Sequence, residues 1–375
     1  MTKHICFPFF RPYEKDSIGG SYESTFQMAS VFPSDIKPTF VFSKEGKGIE
    51  RAKSYGLDCD LLKFSGSTTY KSYLKYMYRV HEYLMKRDYD IIHVNDMWSL
   101  DTWGLPALLR RIPIVWHIRG EYLSDMKLLS RSVLADHCIF VANSHPQRIK
   151  NPILNTLSYS VVHNGVDTTK FSPKYTSSLK NELNIKKNEY IIGFVGNLVE
   201  RKRPLLFQSI AERLLELRKD THFIYAGAGG EKFSQKIENR CELKDIKKNV
   251  HLLGFRDDIP NIMAGLDILL MTSTETGEAF PRVPIEAMAC GVPVVTTNTA
   301  GVSEAVHHGK TGFVLDTDSP DAFSEKINEL LNDNEKYEIF SQNAINLTRS
   351  NFSIENKSNM VRNIYNNILI GSWTI

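Results

Sequence analysis

No run of about 18 apolar residues occurs in this 375-residue sequence, so no stretch of it reads as a membrane-spanning helix. Cysteine is scarce. Five are scattered along the chain (Cys6, Cys59, Cys138, Cys241, Cys290), without the spacing of a metal site. Cys6, Cys138 and Cys290 lie in or beside apolar segments and read as buried, reduced thiols rather than a disulfide frame. The opening MTKHICFPFFRPYEK lacks the long apolar core and small-residue cleavage site of a signal peptide, and the expected location is cytoplasmic. A large excess of one charge is missing too. The formal net charge of +3 is too small to argue for nucleic acid as a partner.

What is present fits a soluble two-domain protein, with 42% hydrophobic and 24% charged residues in a chain too long for one ordinary core. Short apolar runs alternate with longer mixed segments. In the first half, 4–9, 38–42, 91–94, 112–118, 138–142 and 160–163 read as strands. In the second half, 190–195, 222–226, 250–253, 268–271, 292–297 and 312–315 do. Strand–helix alternation implies parallel sheets covered on both faces. The expected fold class is therefore α/β, with two Rossmann-like doubly wound parallel-sheet domains facing across a cleft. One domain is expected over 1–168 and the other over 169–353, with the helical pattern of 354–375 crossing back onto the first. The join falls between Asn164 and Leu183, where Lys174–Asn188 has the polar composition of a linker.

Ligands of such sheets sit beyond the carboxyl ends of the strands, and several strand exits here carry polar or glycine-rich sequence. Gly19-Gly20 follows the first strand, without the third glycine of a dinucleotide fingerprint. Asn95-Asp96, His117 and Asn143-Ser144 close three successive strands. Taken singly, His117 reads more readily as a structural histidine bonded to a neighbouring loop. In the second half, Gly196-Asn197 leads to Arg201-Lys202, either the cations that a diphosphate leaving group needs or a solvated basic turn. Phe255 and Arg256 leave another strand, where they are candidates to frame a base.

The most informative stretch is 272–301, TSTETGEAFPRVPIEAMACGVPVVTTNTAG. Gly277, Pro281 and Pro284 oppose regular structure, and good helix formers follow. Pro284 suits the first helical position and Gly291 the helix end. The free N–H groups at such a helix start favour a phosphate. Glu278 and Glu286 flank this point and suit neutral hydroxyls, such as those of a ribose and a sugar; a helix-capping acid and a surface acid are the alternative.

The ordered set EAFPRVPIEAMACGVPVV over 278–295, Gly19-Gly20, VHNGVD over 162–167 with Phe171, Gly196 through Lys202, Gly301 with Glu304, and GKTG over 309–312 resembles the retaining glycosyltransferases of the GT-B fold in family GT4, glycosyltransferase group 1. The resemblance implies that Glu286 bonds the ribose hydroxyls of a nucleotide and Glu278 the hydroxyls of the donor sugar. It implies that amides of Ala279, Phe280 and Arg282 line the sugar and distal phosphate, with Pro281, Val283, Gly196 and Asn197 also around the donor. Arg201 and Lys202 would neutralise the diphosphate without a metal, Gly20 would supply an amide to the phosphate, and His117 would face the donor sugar. Three positions depart from the family pattern. Asn197 stands where many relatives carry arginine, Arg203 replaces the usual glycine after Lys202, and Pro281 replaces a frequent glycine and has no N–H.

The expected activity is retaining transfer from a nucleotide-diphosphate sugar, a UDP-sugar by preference, to a saccharide or lipid-linked saccharide in bacterial surface polysaccharide synthesis. No metal or other cofactor is expected. A nucleotide-sugar epimerase or hydrolase of the same shape, or a non-catalytic nucleotide-sugar-binding protein, are the rival readings. Residues 71–86, KSYLKYMYRVHEYLMK, form a basic amphipathic pattern: either a helix covering the sheet or a surface that docks on an anionic membrane.

Overall fold

Twelve apolar runs anticipate strands, and a strand forms at each. A computed structural model of the chain describes all residues except 1, 11–18, 66–68, 120–129, 150–153, 156, 175–176, 275–277 and 372–375. The expected feature Gly277 thus lies outside the described residues. Two units divide the chain: Met1–Gly165 with Ile354–Ile375, and Val166–Ser353.

In the first unit the strands are β1 (Lys3–Phe9), β2 (Ile36–Phe42), β3 (Asp58–Leu61), β4 (Ile91–Val94), β5 (Ile114–Ile118), β6 (His137–Phe140) and β7 (Tyr159–Val161), in the order β3-β2-β1-β4-β5-β6-β7. Every pairing is parallel. The strand β3 has no counterpart among the expected ones. Its sequence, DCDL, is partly exposed and pairs only with β2 at the sheet edge, so it carries no apolar run to betray it. Alternation along the strands feeds two cores. Ile5, Phe7 and Phe9 point to one face with Phe26 and Phe40. Cys6 and Phe10 join Trp103 and Trp116 on the other. The C-terminal helix Ile354–Ile370 closes the first of these cores with Ile354, Val361, Ile364 and Tyr365, and Arg362 pins it to Asp35 at 2.9 Å.

The helix Tyr70–Met85 buries Tyr76, Val80 and Leu84 against the sheet, so it covers the core. Its outward face carries the exposed Tyr70, Leu74 and Tyr78 beside Lys71 and Lys75. Arg79 leaves that face to donate to the carbonyl of Lys63. Among the described residues, no helix is long and apolar enough to cross a membrane.

The second unit holds β8 (Tyr190–Val195), β9 (Thr221–Ala226), β10 (Val250–Gly254), β11 (Ile268–Met271), β12 (Val294–Thr297) and β13 (Gly312–Leu315), in the order β10-β9-β8-β11-β12-β13, again all parallel. The polar segment 174–188 differs from the linker its composition suggests. Where described, it packs on this unit: Leu179 is fully buried, and Ser178 donates its N–H to Asn261 Oδ1 at 2.9 Å. Both sheets reverse their strand order once, between β1 and β4 and between β8 and β11. Loops leaving such a pair diverge to opposite sides and leave room at the strand ends, where ligands of this architecture sit.

Candidate active site

The loops after β8 and β11 meet at the second switch point. Gly196 ends β8 with φ of 136°, and its N–H donates to Ala226 O at 2.8 Å. A Cβ at Gly227 would stand 2.1 Å from Gly196 O, so these two strand exits touch through glycine alone. A 3-10 turn, Glu200–Lys202, then carries the basic pair, and Arg203 caps the helix Pro204–Leu217.

Arg203 accounts for one departure from the family pattern. It adopts φ of 48°, the left-handed region that favours glycine. Its side chain offsets that strain by donating to Thr272 O at 2.7 Å and Ser273 O at 3.3 Å, and by pairing with Asp318 at 2.6 Å. Thr272 Oγ1 donates in return to Lys202 O, and Thr274 N–H to Arg201 O. The basic turn and the loop after β11 are thereby strapped together. Thr297, at the end of β12, donates to Ser273 O at 2.6 Å and extends the strap to a third strand.

This framework brings Lys202 Nζ to 2.8 Å and Arg201 Nη1 to 3.0 Å from the same oxygen, Glu278 Oε1. Lys202 and Glu278 are mostly buried, with 13% and 15% of their side chains exposed, whereas Arg201 is about half exposed at 47%. The groups expected to serve phosphate and sugar separately are thus one cluster. Three charges within hydrogen-bond reach leave a local excess of one positive charge, suited to an anion whose partners also include hydroxyls.

The chain next passes Ala279, Phe280 and Pro281 into the helix Arg282–Ala289. Phe280 is buried, with its ring centroid 5.6 Å from that of Phe352. Gly301 supports this loop from behind, since a Cβ there would stand 1.9 Å from Ala279 O. The helix begins two residues before the expected point. Pro281 is its N-cap and Pro284 its third residue rather than its first. The first four N–H groups of a helix have no partner within it, so proline is tolerated there as well. Arg282 and Val283 therefore supply N–H groups at this end, and Pro281 and Pro284 do not. Glu286 lies one turn in, 6% exposed, with Oε1 accepting from Arg282 Nη2 at 2.7 Å. Gly291, at φ of 80°, ends the helix as expected. Its N–H and that of Val292 return to Met288 O and Ala287 O in a Schellman closure.

The remaining expected residues stand further out. Asn197 is exposed. Phe255 is 75% exposed, and Arg256 is held by Glu182 at 2.5 Å and Asp258 at 2.7 Å. Asn197, Phe255 and Arg256 are not among the residues gathered at Glu278.

In the first unit, Gly20 is the exposed first residue of the helix Gly20–Ser30, with open space where a Cβ would stand. His117 is buried near the end of β5, its Nδ1 3.2 Å from His93 Nε2, and His93 Nδ1 is 2.6 Å from the Tyr365 hydroxyl. Burial, then the charge of Arg119, holds both imidazoles well below their ordinary pKa; His93 adds to the effect on His117. Arg119 also donates to Asn95 Oδ1 at 2.9 Å and Asn164 Oδ1 at 2.8 Å, tying the exits of β4, β5 and β7 together. Sequence reasoning singled out His117 and Asn95 but missed Tyr365, Arg119 and the strap of Arg203 with Thr272. Their partners lie far apart in sequence. The one local signal was the unusual residue at 203.

Residues 176–347 match the family model of glycosyl transferases group 1, and residues 18–170 match that of glycosyltransferase family 4. The UDP-Gal:alpha-D-GlcNAc-diphosphoundecaprenol alpha-1,3-galactosyltransferase of Escherichia coli is 27% identical over 316 residues, 79% of this chain and 80% of that protein. A D-inositol 3-phosphate glycosyltransferase of Corynebacterium jeikeium is 31% identical over 278 residues, 66% of this chain and 65% of its own length. The crystal structure of Anabaena HepE in complex with UDP superposes with a TM-score of 0.81 at 20% identity, over 98% of this chain and all of that one, which speaks to the fold.

Proposed function

This chain belongs to the group 1 glycosyltransferases of family GT4, with the GT-B fold, and from that premise we propose a retaining, metal-independent transfer from a UDP-sugar to a saccharide or lipid-linked saccharide of a bacterial surface polysaccharide. The observation that carries the reading is the convergence of Lys202 and Arg201 on Glu278, in the loop that leads into the helix bearing Glu286. The second unit takes the donor. Glu286 holds the ribose hydroxyls and Glu278 those of the sugar. Lys202 and Arg201 take the charge that grows on the diphosphate as the glycosidic bond breaks. Side-chain cations thereby fill the part a divalent ion plays in other transferases. The acceptor attacks from the face the diphosphate leaves, with a phosphate oxygen helping to take its proton.

The choice of UDP and of a lipid-linked acceptor rests on what relatives are named for: the E. coli enzyme uses UDP-Gal and a diphosphoundecaprenol acceptor. Attachment to the cytoplasmic membrane surface is part of the same reading. It rests on Tyr70, Leu74 and Tyr78 exposed beside Lys71 and Lys75 on one helix face, a pattern suited to anionic lipid. Sedimentation with vesicles tests this part, and equal recovery with neutral and anionic lipid removes it. A thermal-shift screen of nucleotide sugars, followed by donor turnover with and without acceptor, tests the activity. A rise in melting temperature with UDP-sugars and acceptor-dependent release of UDP are expected. Release at the same rate without acceptor would instead identify a hydrolase.

A further inference from the structure

Tyr365 lies 272 positions from His93 in sequence and reaches it from the C-terminal helix. The two buried histidines and this tyrosine form one line: Tyr365 hydroxyl to His93 Nδ1, His93 Nε2 to His117 Nδ1. The line ends at His117 Nε2, which is buried and has no hydrogen-bond partner among the described residues. Nothing in the expected role of His117 explains why a histidine and a tyrosine stand in series behind it.

Two directions are open to the line, and each leaves one hydrogen over. A neutral imidazole has one N–H and one bare nitrogen, and a phenol has one hydrogen to give. Burial keeps both imidazoles neutral and keeps the Tyr365 phenol protonated. If Tyr365 were the acceptor, hydrogens would sit on Nδ1 of both histidines. The phenol hydrogen would then be left over in the core beside the partly buried Phe32, where an unmade hydrogen bond is costly. With Tyr365 as donor, the hydrogen left over is the one on His117 Nε2 instead; a phenol is the stronger donor and an imidazole nitrogen the stronger acceptor, so this direction is favoured. His93 Nδ1 accepts, His93 Nε2–H donates to His117 Nδ1, and His117 carries its hydrogen on Nε2.

We propose that Tyr365 and His93 are positioning residues that set His117 as the Nε2–H tautomer, so that His117 offers a hydrogen-bond donor, not a general base, to an oxygen of the substrate. The C-terminal helix thus acts on the tautomer of His117 through His93. The substrate part of this statement rests on the transferase reading above. The tautomer part does not, because it is read in the protein alone.

The test is nitrogen NMR of full-length protein labelled with 15N in its histidine rings, with His117→Gln and His93→Gln used to assign the signals. The wild-type protein should show both His93 and His117 protonated at Nε2 and bare at Nδ1. Tyr365→Phe keeps the ring and removes only the hydroxyl, and in it His117 should shift toward the Nδ1–H form. In transfer assays the same variant should lose kcat by roughly ten- to a hundredfold, the range for one hydrogen bond to a charged group, with KM for the donor little changed. A wild-type His117 protonated at Nδ1 overturns the proposal, as does a His117 tautomer unmoved by Tyr365→Phe. Absence of transferase activity in a protein whose NMR behaves as stated would count against the transferase reading and leave the tautomer lock standing.

Discussion

Replacing Glu278 by glutamine should tighten UDP binding while slowing transfer. Glu278 Oε1 accepts from Lys202 at 2.8 Å and Arg201 at 3.0 Å, so a diphosphate that takes these cations competes with it. Two unit charges at about 4 Å attract by roughly 4 kcal/mol at an effective dielectric of about 20. Lys202 and Glu278 are largely shielded from water and retain much of this, whereas Arg201, half exposed, adds little. In the wild type, hydration of the released acid and the cations' new bonds to the diphosphate return most of the loss. A net gain of about 1–2 kcal/mol remains for UDP in the variant, roughly five- to thirtyfold in Kd. The glutamine holds a sugar hydroxyl less well than a carboxylate, so kcat/KM should fall by about 1.5–3 kcal/mol. Titration calorimetry of UDP against both proteins, at low and high salt, reads the first effect. UDP binding that is unchanged or weaker in Glu278→Gln would refute the idea that Glu278 and the diphosphate share these cations.

Further outcomes follow from the same geometry. Glu286→Ala should weaken donor binding by roughly 1.5–3 kcal/mol, seen in calorimetry as well as in KM, and undiminished affinity would remove Glu286 from the ribose. Gly301→Ala places a methyl 1.9 Å from Ala279 O, so the 278–280 loop must shift. A cost of about 1–3 kcal/mol in thermal unfolding is expected, together with weaker donor binding, and a wild-type melting temperature would contradict the close approach. Burial pulls the pKa of His137 down to about 4. Because the unfolded chain binds this proton first, stability is full above the ordinary histidine range and is lost as pH falls from about 6.5 toward 4. His137→Gln, which can still bond Ser158 and Ser160, should flatten the pH dependence of unfolding in that window.

The fold was legible because parallel strands buried on both faces are written as short apolar runs. The edge strand β3 was not, since DCDL faces solvent and has no such run. In the site, Glu278, Glu286, Arg201 and Lys202 were legible as residue types at a loop–helix junction. Their mutual contact was not, because it depends on strap bonds from Arg203 to carbonyls 69 and 70 positions away. The left-handed backbone at Arg203 left only an indirect trace, an arginine where the resemblance implies glycine. Composition misread 174–188, which, where described, forms a short helix and packs on the second unit. The series from Tyr365 to His117 joins three elements, and no local pattern encodes it.

Lys202 is the residue on which release of the diphosphate most directly depends. With donor and acceptor both present, the rate of UDP release by Lys202→Ala measured against wild type reads its part in the reaction. A fall of roughly a hundredfold or more, as for removal of one donor to a developing oxyanion, is predicted. Release at the wild-type rate would contradict the assignment of this cluster as the place where the leaving diphosphate is held.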